Sequence, residues 1–584
     1  MEPEGAAAFA KPGMPEHSTF GKRNQIMLLD QFLPRIEFDS YEDFKENYRV
    51  NVPEDFNFGF DVVDAWAKQE PDKQALLWID DHGGEKAFTF SEISRMSNRV
   101  ANFFCDLGIQ KGDVVLLVLR QRWEYWICAV ALHKLGAILV PGSMQLTKKD
   151  IVYRAEAAKI KAVVCIDDAS AVAQAEAAFG EAPSIEHRVL VGGEREGWLS
   201  FDRALAEYPD TFERPSGDQA TRWDDNMLIY FTSGTTGMPK MVQQNFSYPL
   251  GHIVTAKYWQ RVQENKLHMS VSDSGWAKFG WGKIYGQWIC GATIFAYDWD
   301  KFVPKKLLEV ISKYKITTFC APPTMFRFML QEDVASYDLS ATEQYCIAGE
   351  PLNPEVFRKW EKLTGHKMYE GFGQSESSVM IANFQWFEPI PGSTGKPAPL
   401  YRIQLMDASG NLCEDGDEGH IVIAGVDKES PAGLFTGYYH DPERTAVAFA
   451  GGNYDTGDVA WRDSNGYYWF IGRCDDVIKC SGYRIGPFEV ESALLEHPAV
   501  VECAVTAAPD PIRGQVVKAT VVLAEGYQGS PELTKELQDH VKKVTAPYKY
   551  PRIVEYVKEL PKTIGGKIKR AQIREKDLEA KSES

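Results

Sequence analysis

The stretch YFTSGTTGMPK, Tyr230 to Lys240, decides how the rest of the chain is read. It has the small residues, the two glycines and the closing lysine of a phosphate loop, but not the spacing of G-x-x-x-x-G-K-[ST]. Gly234 and Gly237 stand too close together, and Pro239 separates Met238 from Lys240. Two glycines let main-chain N–H groups come close to phosphate oxygens. Thr232, Ser233, Thr235 and Thr236 add hydroxyls, and Lys240 adds positive charge. Such a segment can clamp a β,γ-diphosphate and hold it as it leaves. The bland alternative is a solvated turn after a strand; the specific order of residues favours the clamp.

The clamp follows a buried strand, MLIYF (Met227–Phe231), and similar strands alternate with amphipathic helices on either side. Thr89-x-x-Glu92 reads as a capping box opening a helix that runs to Gly108. VVLLVL (Val114–Leu119) reads as a strand buried on both faces. AILVPG, AVVCI, ATIFAY, ITTFCAP and YCIAGE continue the alternation, which predicts an α/β fold with parallel sheets covered by helices. After about residue 395 a Gly/Asn/Asp-rich pattern predicts a small antiparallel β region. A boundary near Arg473 predicts a large domain over residues 1–472, with an N-terminal extension over 1–55. A small α+β domain over 473–584, of about a hundred residues, follows it.

Composition narrows the function. The 584 residues are 44% hydrophobic with a net charge of −18, an ordinary globular balance that argues against general binding to nucleic acid or membranes. No apolar run is long enough to span a membrane. Ten cysteines lie scattered from Cys105 to Cys503 without a C-x-x-C pair, which suits a reducing compartment and gives no zinc site. The start, MEPEGAAAFAKPGMPEHS, lacks a basic run followed by an apolar one and carries too much acid for a transit peptide. A cytoplasmic location is therefore expected.

YFTSGTTGMPK resembles the signature of the adenylate-forming superfamily: acyl-CoA synthetases, luciferases and the adenylation domains of peptide synthetases. The resemblance runs from about residue 60 to 575 through several motifs in order. It is nearest to the medium-chain acyl-CoA synthetases in SGYRIGPFEVESALLEHPAVVECAV and VTAPYKYPR. It implies ATP, CoA and Mg²⁺, with Thr232 and the loop as far as Lys240 on the phosphates. In EGFGQSES it implies that Glu370, Gly371, Phe372, Gly373, Gln374 and Ser375 line the nucleotide, Phe372 stacking on adenine and Ser375 meeting the α-phosphate. Glu376 would bind Mg²⁺. A flat ring suits a base, a hydroxyl suits a phosphate and a hard carboxylate suits a hard cation. Serine in place of the usual threonine keeps the hydroxyl; phenylalanine in place of the usual tyrosine loses one.

In YDTGDVAW, Asp458 matches the family aspartate that accepts from both ribose hydroxyls, with Asp455 as a nearby decoy. In GRCDD, Arg473 matches the arginine of the ribose and phosphate region, and Asp475 the hinge. In PKTIGGKIKR, Lys567 matches the catalytic lysine, which offsets charge at the α-phosphate and the attacking carboxylate. The implied reaction has two steps, acyl-adenylate formation with release of pyrophosphate and then attack by a thiol with release of AMP. A mobile small domain would withdraw Lys567 and present CSGYRIG for the second step. Gln145, Ser481, Gly482, Tyr483, Arg484, Arg513, Lys542 and Tyr550 match positions lining the CoA site in medium-chain relatives.

For the acid, Gly373 stands where acetate-activating relatives carry a tryptophan. It is expected to open space for a chain longer than acetyl. SDSGWAKFGWGKIYGQWICGA supplies Trp276, Phe279 and Trp281 as pocket candidates, with Gly349 from another strand end. Two tryptophans and Lys278 would shorten or bend the pocket toward short, branched or aromatic acids. The rival readings are a ligase for another acceptor and a non-catalytic acyl- or nucleotide-binding relative.

Overall fold

The computed structural model describes residues 28–232, 238–480, 483–510, 513–562 and 568–582. Among them an eight-stranded and a nine-stranded sheet build the large N-terminal domain. In the first, Val114–Val118 runs parallel to both Ile138–Pro141 and Ile160–Ile166. Every residue of Val114–Val118 is buried, because helices cover both faces, and such strands read as continuous aliphatic runs. In the second, Leu267–Ser270, Thr293–Asp298, Thr318–Ala321, Gln344–Ile347 and Met368–Phe372 run parallel. The main core draws on both sheets and on two helices, Phe90–Asp106 and Glu124–Leu135. The expected capping box of Thr89 and Glu92 opens the former. The latter is buried on every side, as a helix between two layers must be. Helices Lys148–Ala158 and Ala169–Phe179 cover the outside of the first sheet, and Pro304–Tyr314 and Pro354–Thr364 that of the second.

The pattern change after residue 395 is a four-stranded antiparallel sheet of Ile403–Met406, Glu418–Ile423, Tyr454–Arg462 and Tyr468–Arg473. The small C-terminal domain is a mixed sheet with its own core, covered by Pro487–Leu495 and Pro531–Val544. The architecture is thus α/β with a small α+β C-terminal domain, as its sequence indicated. The described start of the chain packs into the large domain. Leu28, Phe32, Tyr41, Phe44 and Tyr48 are buried in the main core, so the described part of the expected extension is integral to the large domain. No described helix is long and apolar enough to cross a membrane.

Candidate active site

The two motifs that carry most of the chemistry lie at the C-terminal ends of strands, one in each large sheet. That is where open α/β sheets bind ligands. Asn226–Thr232 and Lys240–Asn245 pair antiparallel with Thr232 opposite Lys240. The clamp therefore joins two strands of one hairpin, and no helix N-terminus follows it to help hold an anion. Ser233 to Gly237 lie outside the described residues. Met238 is exposed, and the Pro239 carbonyl accepts from Tyr153 Oη at 2.9 Å.

Lys240 Nζ lies 5.2 Å from the centre of the Tyr438 ring. Burial pulls its pKa below the ordinary lysine value, Glu376 opposes that pull, and Arg473 and Arg444 add to it. These groups share one electrostatic neighbourhood, in which Asp475 also opposes the pull of burial. Glu376 is buried, and its Oε1 accepts from Tyr438 Oη at 3.0 Å. Burial, then the Glu376 charge, push the Tyr438 hydroxyl pKa up, so the phenol stays a donor. Among the described residues no group of three carboxylate, histidine or cysteine ligands could hold a metal by itself. A lone carboxylate fits Mg²⁺, which takes one or two protein oxygens and completes its shell with phosphates and water.

Asp458 lies opposite Arg473 in the strand pair Tyr454–Arg462 and Tyr468–Arg473. Their side chains are 3.6 Å apart. Gly457 has φ +68°, and a Cβ there would stand 2.9 Å from Arg473 Nη2. Both facts call for glycine. Gln374 joins the group: its Nε2 donates to Asp458 and to the Thr456 carbonyl, and its Oε1 accepts from Tyr454 Oη at 2.6 Å. Asp455, the decoy, turns outward and pairs with His420. The Ser375 carbonyl is held by Gln244 Nε2 at 2.9 Å. Phe372 is half-buried, 5.8 Å from Phe470. The structure thus gathers Lys240, Gln374, Glu376, Asp458 and Arg473 from both large sheets and the antiparallel one. Tyr438, Tyr454, Gln244 and Arg444 complete the cluster; Tyr454 opens the YDTGDVAW motif, whereas the pairing of Gly437–Tyr438 with Lys240–Asn245 brings Tyr438 in.

Glu370 is buried, and its carboxyl meets Leu352 N at 3.3 Å and Thr394 Oγ1 at 3.5 Å. Burial pushes its pKa up to about 8, only partly offset by those bonds. A raised carboxyl pKa means the folded state keeps a proton that the unfolded chain has lost. Stability contributed by this group therefore falls as pH rises from 4.5 to about 8. Glu370→Gln is expected to remove that slope, so its melting temperature gains on the wild type across this window. Parallel melting curves for the two proteins would expose a wrong assignment.

The acyl-pocket expectation needs correction. A Cβ on Gly373 would lie 2.2 Å from Trp281 Cη2 and 2.6 Å from the Ser378 carbonyl. The missing side chain does not leave open space; it makes room for the Trp281 indole. Nothing in the EGFGQSES motif could show this, since Trp281 comes from a helix 92 residues earlier. Phe279 is buried against Tyr125 and Trp126, at 4.6 and 5.2 Å, and is core rather than pocket wall. Trp276 is half-buried at the start of helix Ala277–Gly282, and Lys278 Nζ donates to the Ala348 carbonyl beside exposed Gly349.

In the small domain, Lys567, Ser481 and Gly482 lie outside the described residues. Tyr483 is exposed and stacks on Tyr548 at 4.1 Å. Tyr550 lies between Lys542, 4.4 Å away, and Arg552, 4.8 Å away. Arg484 is exposed and pairs with Lys479 across the hairpin. Arg513 N donates to Asp510 Oδ1 at 2.8 Å. Gln145 is exposed on the large domain, just before helix Lys148–Ala158. Asp475 lies 3.6 Å from Arg473, in a turn closed by Asp476 N on the Arg473 carbonyl at 3.0 Å.

A model of the AMP-binding enzymes matches residues 63–439, and a model of their C-terminal domain matches 489–567. The chain belongs to the AMP-binding enzyme family. Acyl-coenzyme A synthetase ACSM3 of Mus musculus, named as mitochondrial, is 41% identical to it over 92% of this chain and 94% of its own. ACSM4 of Homo sapiens, also named as mitochondrial, is 42% identical over 92% and 93%. The solved anthranilate CoA ligase AuaEII, in complex with anthranoyl-AMP, is 29% identical with a TM-score of 0.82, covering 91% of this chain and 99% of that one. The resemblance to medium-chain acyl-CoA synthetases is borne out. The cytoplasmic expectation is not: these full-length relatives are mitochondrial proteins by name. An acid-containing N-terminus was too weak a sign to place this family member in the cytoplasm.

Proposed function

We propose that this AMP-binding enzyme is an AMP-forming acyl-CoA synthetase acting on short- to medium-chain, branched or aromatic acids. The substrate carboxylate attacks the α-phosphorus of ATP, the bond to the β-phosphate oxygen breaks, and pyrophosphate leaves. The CoA thiolate then attacks the acyl carbon, and AMP departs with the electrons of the acyl–oxygen bond. The observation that carries this reading is the cluster of Lys240, Glu376, Asp458 and Arg473 at the meeting of three sheets.

Each group has work suited to its chemistry. Thr232 and the loop 233–239, with Lys240, hold the β,γ-phosphates. Asp458 accepts from the ribose hydroxyls, oriented by Gln374 and Arg473. Phe372 faces the base, and Ser375 the α-phosphate. Glu376 would hold Mg²⁺, which would supply charge neutralisation at the phosphates. Lys567 offsets charge between the two reacting anions. Tyr483, Arg484, Arg513, Lys542 and Tyr550, with Ser481, Gly482 and Gln145, receive CoA. The basic side chains suit its phosphates.

Residues 1–472 form the AMP-binding domain and 473–584 the moving one, turning at Asp475. Arg473 is bound to the large domain through the Thr456 carbonyl at 2.8 Å, and Asp476 to the small domain through Arg574. Between those anchors lie Cys474, whose N–H donates to the Gly457 carbonyl at 2.9 Å, and then Asp475, where the rotation would be absorbed. With Trp281 against Gly373, the pocket suits compact rather than long straight acids.

The test is AMP release from ATP across a panel of propionate, butyrate, 2-methylbutyrate, hexanoate and benzoate, with and without CoA. Release that needs both acid and CoA is expected. Release unaffected by CoA would point to another acceptor, and nucleotide binding without release would point to a non-catalytic protein.

A further inference from the structure

The segment bearing Lys567 has both ends held. Lys562 and Ile568 form an antiparallel bridge, and Lys569 N donates to the Pro561 carbonyl at 2.8 Å. The next residue, Arg570, starts helix Arg570–Ser582. Its Nη2 donates to both carboxylate oxygens of Glu491, at 2.7 and 2.8 Å. Glu491 is itself fixed: its side chain is 8% exposed, and its Oε1 also accepts from Val505 N at 2.8 Å. Glu491 belongs to helix Pro487–Leu495, which begins directly after strand Tyr483–Ile485 of the CoA hairpin. One turn along the C-terminal helix, Arg574 pairs with Asp476 beside the hinge.

One buried carboxylate thus ties the root of the Lys567 segment to the helix behind the opposite working surface. Burying such a pair costs desolvation, and two apolar side chains would hold the helix about as firmly. What a charged, three-bonded carboxylate adds is direction. Burial alone would lower the Arg570 pKa, but Glu491 outweighs it and holds the guanidinium above its ordinary value.

We propose that Glu491 is a positioning residue for adenylation: through Arg570 it sets where Lys567 arrives, without touching substrate. This rests on the synthetase reading above. Small displacements of a reacting group cost rate steeply, about 100-fold for 1 Å.

Two half-reactions separate positioning from scaffolding. Glu491→Gln is expected to lower acid-dependent ATP–pyrophosphate exchange about 10- to 100-fold. The loss should fall on kcat, with KM for ATP little changed and thioester formation from supplied acyl-adenylate within about threefold of wild type. Glu491→Asp, which keeps the charge, should recover part of the loss. If Glu491→Gln does not fold, Arg570→Lys, at a side chain one-quarter exposed, reads the same split. Equal losses in both halves would reduce the pair to scaffold and overturn the inference, as would no loss in either. A wild-type enzyme without exchange on any acid would overturn the synthetase reading itself, an outcome distinct from an active enzyme whose variants show no split.

Discussion

Lys567→Ala should lower acid-dependent ATP–pyrophosphate exchange about 100- to 1000-fold, the loss typical of removing one charge-stabilising donor. Thioester formation from supplied acyl-adenylate should change little. The first step drives a carboxylate toward a polyphosphate, so both reactants are anions and negative charge gathers at the α-phosphorus. Lys240, Arg473 and Arg444 are already committed around the clamp and the ribose side, where Glu376 and Asp458 partly balance them. A cation at the α-phosphate must come from elsewhere, and Lys567, between the bridged Lys562 and Ile568, is the proposed source. In the second step a single anion, the thiolate, attacks a carbonyl carbon and its charge leaves with AMP, so no second anion has to be brought against a phosphate. Labelled pyrophosphate exchange, run beside thioester formation from synthetic adenylate, measures both. Equal loss in the two assays would remove Lys567 from the adenylation step.

How far the sequence could be read follows from how far apart the interacting residues lie. The Thr89 capping box, the buried strand at Val114–Val118 and the hairpin at Ile478–Ile485 are local, and each is legible from a few neighbours. Asp458 could be told from Asp455 only through the motif, yet the physical reason lies in the two flanking strands, one of which puts Arg473 across from Asp458 and the other His420 near Asp455. Tyr438 was invisible because strand pairing brings it to Lys240 from far along the chain, and its hydroxyl then reaches Glu376. Gly373 misled for a related cause. A glycine in sequence signals either empty space or a large neighbour, and only the Trp281 contact decides which. Residues 28–55 looked like an extension because they precede the alternating pattern, although their aromatic side chains fill the core.

Gly482→Leu should produce the opposite split from Lys567→Ala. Strands Ile478–Cys480 and Tyr483–Ile485 pair with Cys480 opposite Tyr483, so Ser481 and Gly482 are the whole connection between them. Two-residue connections between antiparallel strands favour glycine because they need backbone angles that other residues resist. The same lack of a side chain would let a pantetheine thiol pass close to the main chain. Leucine removes both advantages. Thioester formation from supplied adenylate is expected to fall about 100-fold, the scale on which a 1 Å misplacement acts, while pyrophosphate exchange stays near wild type. Gly482→Ala separates the two causes: it carries nearly the whole backbone penalty but little bulk, so a mild defect there assigns the leucine effect to obstruction of the thiol. Normal thioesterification by the leucine variant would take the hairpin off the thiol's path. Two opposite splits, one at each end of the small domain, are what a single crevice shared in turn by two surfaces requires. A fixed site holding both at once would lose the two half-reactions together.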